Sequence, residues 1–149
     1  QSYRYFMNTN LFNHINIDKN NTFVPNGLAE NIEEECMAYD SRIQDIGGID
    51  LQLLGLGANG HIGFNEPGEA LSVGTNLTDL KESTIEANAR FFDSMKAKKI
   101  MVIASGEGKA EVVKAMMSGK ITTEIPATML QMHRDVILIV DEDAAKLLK

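Results

Sequence analysis

Apolar and polar positions along the chain follow two different spacings. Behind Asn31, residues Ile32, Cys36, Tyr39, Ile43 and Ile46 recur at three- and four-residue steps, which puts them on one face of an α-helix. The Asn31 side chain can cap that helix, and Gly47-Gly48 ends it. Glu107 to Met117 carries a second helical stripe, with Val112, Val113, Met116 and Met117 expected inward and Gly119 as its stop. Asp50–Leu54, Lys99–Ala104 and Val136–Val140 are instead short, apolar, partly β-branched runs, the pattern of buried parallel strands. Strand and helix signals that alternate in this way predict an α/β fold: a Rossmann-like parallel sheet with helices on both faces, in a single domain spanning residues 1–149.

The apolar run from Ile49 to Leu54 leads into Gly55-Leu56-Gly57-Ala58-Asn59-Gly60-His61-Ile62-Gly63-Phe64-Asn65-Glu66-Pro67, a stretch with too many glycines to continue as a helix. Glycine lets backbone approach a ligand closely, and His61 and Glu66 add groups that can move protons. The segment therefore reads as an active-site loop. Gly55 to Gly60 also satisfies G-x-G-x-x-G, but a dinucleotide site needs a helix opening at the third glycine and an acidic residue about 20 positions on. Here Gly63, Pro67 and Gly68 follow at once, and Asp79 has no strand before it. A nucleotide cofactor is not expected.

Composition narrows the partners. The formal net charge is −7 and the pI near 4.9, which disfavours nucleic acid or a membrane surface, because phosphate backbones need a positive patch. A small anion needs only two or three local cations. The single Cys36 excludes an internal disulfide, and no apolar run approaches the ~18 residues of a membrane span. A cytoplasmic protein is expected. Three scattered histidines and one cysteine give no metal-ligand spacing, so neither metal nor cofactor is implied.

Ligands of open α/β sheets collect at the carboxyl ends of the strands, and His61, Lys109 and Asp141 all follow predicted strands. His61, with a reference pKa of ~6.5, can donate and accept protons near neutrality. A lone loop histidine is as readily structural as catalytic; its surroundings favour catalysis. Glu66, five residues on, is expected to hydrogen-bond one imidazole nitrogen and fix the tautomer. Lys109 follows Gly106-Glu107-Gly108 at a helix start. Only a fragment of a phosphate-binding P-loop is present there, since Ala110 replaces the hydroxyl residue. A solvated first-turn lysine is the alternative. Asp141 reads better as the N-cap of a helix over Glu142 to Lys149 than as a catalytic group. His14 and His133 read as surface or packing residues.

The thirteen-residue loop resembles the signature of the glucosamine-6-phosphate deaminases, which convert glucosamine 6-phosphate and water to fructose 6-phosphate and ammonia. Related 6-phosphogluconolactonases share the Gly-x-Gly opening and the Gly-His pair but lack the Phe64-Asn65-Glu66-Pro67 ending. Gln1 to Met7, Ala89-Arg90-Phe91-Phe92-Asp93, Ser105 to Lys109 and Pro126 to His133 resemble further stretches of the same family. The resemblance implies that His61 opens the sugar ring, assisted by Glu66 and Asn59. It also implies that Gly55 and Gly57 shape the sugar site while Arg90 and Lys109 hold the 6-phosphate. Taken by its residues alone, Arg90 could equally be an exposed helix charge.

Members of that family often carry aspartate at the position of Asn59, so here either Glu66 alone supplies negative charge to the histidine or the pH optimum differs. They also begin with a phosphate loop and an acidic loop holding the general base, and they insert a segment where only Met95 stands between Ser94 and Lys96. The expectation is a chain that is the C-terminal part of a sugar-phosphate isomerase domain, its sheet incomplete and its catalytic base elsewhere. Glu69 to Asp79 has no Arg or Lys to bind an effector, which favours a non-allosteric enzyme; the oligomeric state stays open, with a monomer among the options. The alternatives are a non-catalytic sugar-phosphate-binding module, a lactonase-like hydrolase and, last, a nucleotide-binding domain.

Overall fold

A computed structural model describes residues 2–78 and 97–148. The chain opens with α1 (Tyr3–Met7), capped by the Ser2 hydroxyl and continued by a wider π-helical turn over Asn8–Phe12. Helix α2 (Ile32–Asp45) follows, and the Asn31 side chain accepts the Glu34 N–H as its cap. The three strands are β1 (Ile49–Gly55), β2 (Ala97–Ala104) and β3 (Val136–Val140). Between β2 and β3 lie a 3-10 turn (Glu107–Lys109), α3 (Ala110–Met116) and a longer 3-10 segment (Pro126–Met132); α4 (Glu142–Ala145) follows β3.

The strands run parallel in the order β1-β2-β3. Leu54, Val102 and Leu138 stand side by side, as do Leu53, Met101 and Ile137 one residue earlier. Because successive side chains point to opposite faces, these two rows lie on opposite sides of the sheet. On one side Leu54, Ile100, Val102 and Ala104 are buried against Val112, Val113 and Met116 of α3, together with Ala127, Leu130 and Ala144. Ile100, Val102 and Val113 are sealed from solvent, and each such side chain contributes roughly 1.5–3 kcal/mol by leaving water.

On the other side Leu53 is 58% exposed, and Ile103 and Ile139 are each 46% exposed. Parallel sheets are normally covered on both faces; among the described residues only one face carries a helical layer. The strands themselves are as apolar as a doubly covered sheet requires.

Two positions depart from the helical pattern. Met117 is 64% exposed and Ile46 is 67% exposed. Each is the residue just past the last turn, the C-cap of α3 and of α2 respectively, where the chain has left the helical path that would carry it inward. Glu107 to Lys109 forms a tighter 3-10 turn ahead of α3 rather than its first turn.

Candidate active site

The loop after β1 folds back on itself within a few residues. The Gly57 N–H donates to the His61 carbonyl at 2.9 Å, and the Gly60 N–H to the Gly57 carbonyl at 3.1 Å. Gly60 has φ +88°, and a Cβ there would lie 2.6 Å from Ile125 Cγ2, so no other residue fits without moving that turn. The Gly60 carbonyl accepts the Ala127 N–H at 2.9 Å, and the Gly68 N–H donates to Thr123 at 3.2 Å. The segment before β3 thus braces the loop from behind. No helix occurs in residues 56–78, so the context a dinucleotide site requires is missing.

His61, Asn59 and Glu66, seven positions apart at most, form one polar chain. The Asn59 side-chain oxygen accepts the His61 backbone N–H at 3.1 Å and lies 2.8 Å from the imidazole Nδ1. A backbone amide can only donate, so oxygen must be the amide atom facing His61. Nδ1 therefore carries the hydrogen of the neutral ring, and Nε2 is the nitrogen with the lone pair. The Asn59 amide nitrogen in turn donates to Glu66 Oε2 at 2.7 Å.

Glu66 does not hydrogen-bond the imidazole. Its Oε1 is 4.0 Å from Nδ1, and Asn59 occupies the place between them. That oxygen is buried and has no hydrogen-bond partner among the described residues, although buried carboxylate oxygens normally have one. Among the described residues it is the negative group that acts on the ring. Burial holds the His61 imidazole below its ordinary pKa; the Glu66 carboxylate opposes this and the Lys109 ammonium adds to it. The neutral ring consequently persists to lower pH than in a free histidine.

Around the ring the packing is close. A Cβ built on Gly57 would come within 2.3 Å of Nδ1 and 2.4 Å of Cε1. The space left by glycine at position 57 is therefore filled by the histidine. The Phe64 ring stacks on the imidazole, with centroids 5.5 Å apart and planes inclined by 19°. Phe64 is buried yet has φ +59°, a left-handed conformation that costs a side-chain-bearing residue roughly 1–2 kcal/mol. Beyond it, Gly63, Phe64 and Asn65 line a cavity of about 40 Å³ with Tyr39, Ile43 and Thr75. That is far below the ~300 Å³ of a ligand pocket.

Lys109 arrives from the neighbouring strand. Gly106 turns the chain at φ +89°, and its N–H donates to both Asp141 carboxylate oxygens, at 3.1 and 2.9 Å. The Ser105 hydroxyl donates to Asp141 at 2.7 Å, and Asp141 also caps α4 by accepting the Ala144 N–H at 2.8 Å. These bonds hold its carboxyl below the usual carboxylate range. Asp141 is thus a helix cap that also ties the β2 loop to the end of β3. Burial lowers the Lys109 pKa, and no described carboxylate forms an ion pair with it.

Gly55 ends β1, and Gly57, Asn59, His61, Glu66 and Lys109 follow on the segments after β1 and β2, at the same edge of the sheet. Arg90, with the whole stretch Ala89 to Asp93, lies outside the described residues. His133 bridges the Ala97 carbonyl at 2.7 Å and Asp135, and exposed His14 lies 2.6 Å from the Thr9 carbonyl, so both serve packing. Sequence reasoning missed Phe64 as a neighbour of the histidine; nothing in its identity announces a positive φ. Among the described residues no three His, Cys, Asp or Glu side chains gather as a metal site requires, and no helix is long and apolar enough to cross a membrane.

Residues 1–139 match the family described as glucosamine-6-phosphate isomerases/6-phosphogluconolactonase. The chain is 88% identical over 165 aligned positions to a glucosamine-6-phosphate deaminase of Clostridium perfringens (strain 13 / Type A), with 100% of this chain and 68% of that protein covered. It is 52% identical to the deaminase of Clostridium beijerinckii, at the same coverage. An alignment of 165 positions is longer than the 149-residue chain, so the relatives carry positions without a counterpart here. Among solved structures, a monomeric glucosamine-6-phosphate deaminase superposes with a TM-score of 0.89 at 39% identity, over 99% of this chain and 68% of that one.

Proposed function

The chain belongs to the glucosamine-6-phosphate isomerase/6-phosphogluconolactonase family, and from that premise we propose that its intact protein is a glucosamine-6-phosphate deaminase of amino-sugar breakdown. The observation that carries this reading is the Glu66–Asn59–His61 chain in the glycine-rich loop at the carboxyl end of β1. With Nδ1–H held on Asn59, Nε2 takes the proton of the anomeric hydroxyl and returns it to the ring oxygen, breaking the C1–O5 bond. Glu66 Oε1, 4.0 Å from Nδ1, steadies the imidazolium formed between the two transfers. A further carboxylate base moves the proton from C2 to C1 through an enolamine; water then adds at C2 of the imine and ammonia leaves.

Lys109 is suited to the 6-phosphate. Its ammonium is unpaired among the described residues, and it stands close enough to His61 to act on its charge. Arg90 is the second cation of the same proposal, and Gly55 and Gly57 give the sugar room at the strand end. The Phe64-to-Pro67 ending favours deamination over lactone hydrolysis. Sugar phosphates are metabolites of the cytoplasm, which is where we place the enzyme, and a monomer would match the solved deaminase.

The test is His61→Gln in the intact protein. Ammonia release from cyclic glucosamine 6-phosphate should fall by ~10²–10⁴, the range for losing a general acid-base, while inorganic phosphate inhibits as in the wild type. Near-native turnover would sink the assignment. Binding of the sugar phosphate with no ammonia release by the wild type would leave a sensor module instead.

A further inference from the structure

The imidazole of His61 sits in a slot. One wall is the α-carbon of Gly57, where even a methyl group would lie 2.3 Å from Nδ1; the other is the flat face of Phe64, stacked with centroids 5.5 Å apart. Along one edge, the Asn59 oxygen receives Nδ1–H at 2.8 Å. We propose that Phe64 is a positioning residue for the ring-opening histidine, clamping the imidazole against Gly57 so that Nδ1 stays on Asn59 and Nε2 stays toward the substrate. The proposal rests on the assignment of His61 to ring opening.

The physical reason is rotational. A histidine ring can swing about its Cβ–Cγ bond, which carries Nδ1 out of line with the Asn59 oxygen. A hydrogen bond to Asn59 opposes that turn, but a bond of this kind contributes little net energy in competition with water. Two walls oppose it sterically, because the ring must pass edge-on through the gap. The offset stack on Phe64 is one of the arrangements aromatic pairs prefer, and it holds the plane of the imidazole. Without the wall at position 64 the ring could tilt so that Nδ1 leaves Asn59, and a misplacement of about 1 Å can cost 10²-fold in rate.

The backbone at Phe64 supports a role for this ring. The residue adopts φ +59°, a conformation that Gly or Asn accepts more readily than Phe. A turn selected only for its shape would be better served by Asn. The aromatic ring is kept in a place where the backbone disfavours it, and one of the groups it stacks on there is His61.

This makes Phe64→Asn the informative variant, since it removes the ring and relieves the backbone together. In the intact protein it should still fold, melting lower than the wild type because a buried ring is lost, while kcat for ammonia release falls roughly 10- to 100-fold with KM for glucosamine 6-phosphate little changed. Phe64→Tyr, which keeps the flat ring, should retain most of kcat. Nitrogen-15 spectra of the histidine rings, with the His61 signal identified by its loss in His61→Gln, read the clamp without any substrate. The wild type and Phe64→Tyr should show one neutral tautomer with hydrogen on Nδ1; Phe64→Asn should show a mixture. The charged groups facing the ring among the described residues, Glu66 and Lys109, are unchanged in these variants. A folded Phe64→Asn with wild-type kcat, or with a single Nδ1–H tautomer, would overturn the proposal. If His61 had no part in ring opening, the rate would not follow the tautomer, but the spectra would still report whether the clamp exists. Should Phe64→Asn fail to fold, Phe64→Leu provides the same two readouts.

Discussion

The loops that follow β1 and β2 lie beside each other at one edge of the sheet and are built in opposite ways. The β1 loop is held mainly from within: Gly57 bonds His61, Gly60 bonds Gly57, Asn59 bonds both His61 and Glu66, and the Phe64 ring lies on the imidazole. The β2 loop is held from outside, by Asp141 at the end of β3, which takes hydrogen bonds from Ser105 and Gly106. The difference suits two tasks. A proton shuttle needs a fixed tautomer and a fixed ring, which only close neighbours can impose. A cation that holds a phosphate needs to be in the right region with its charge unpaired, and one anchor does that while leaving the lysine itself at liberty. On this view the first loop governs the rate and the second governs binding.

The largest expected effect tests the first half of that division. Asn59→Leu removes both the acceptor for Nδ1–H and the donor to Glu66 Oε2, so the tautomer is no longer fixed and a buried carboxylate loses its partner. We expect kcat to fall by ~10² with KM for glucosamine 6-phosphate nearly constant, read from steady-state ammonia release. A rise in KM at unchanged kcat would mean that the β1 loop binds rather than reacts.

Lys109→Ala tests the other half. Hydrogen bonds to charged groups contribute roughly 1.5–3 kcal/mol, or about 10- to 150-fold, so KM for glucosamine 6-phosphate should rise by that factor with kcat largely kept. Activity on glucosamine without its phosphate should be the same in mutant and wild type. Equal loss on both sugars would place Lys109 in the chemistry and break the comparison.

The two loops also differ in how far they could be read from the sequence. The scaffold was legible because its signals are local: Val136–Val140 is a strand over the whole predicted run, β1 and β2 extend the expected runs by one or two residues, and Asn31 caps α2 as its side-chain chemistry predicts. Asp141 as a helix cap was legible for the same reason, but its hold on Ser105 was not, because 36 residues separate the pair and no spacing rule joins neighbouring strand ends. Within the β1 loop the residue types were readable and their partners were not. Proximity in sequence suggested that Glu66 reaches the imidazole; the tight turn at Gly60 puts the Asn59 amide between them instead. The left-handed backbone of Phe64 had no sequence signal at all, since that conformation usually falls to glycine or asparagine.

Asn59→Asp sharpens the comparison through pH. A second negative charge against Nδ1 favours the imidazolium, raising a pKa that burial now holds low. The neutral base would then be lost at higher pH. The acid limb of kcat/KM should move up by about one pH unit, leaving the rate at pH 8 near that of the wild type and costing several-fold near pH 6. An unmoved limb would mean that His61 is not the group titrating there.

The smallest effect belongs to the anchor of the β2 loop. In Asp141→Asn the side chain keeps one acceptor oxygen, so α4 can stay capped, but the paired hold on Ser105 and Gly106 is weakened. The Asp141 carboxyl lies below its ordinary value of 3.8, first because of the Ser105 hydroxyl and then because of the Ala144 and Gly106 amides. A carboxyl with a depressed folded pKa stabilises the protein fully above its unfolded pKa and loses that contribution as pH falls through the folded one. The mutant should therefore melt lower than the wild type at pH 7 by an amount that stays constant down to about pH 4 and vanishes at still lower pH, where aspartic acid and asparagine carry the same charge. KM should rise only a few-fold, since Lys109 is displaced rather than removed. If the melting difference instead persisted unchanged in acid, the carboxylate charge would have no part in holding the loop. The β2 loop would then be steadied by packing alone, as the β1 loop is steadied by its own neighbours.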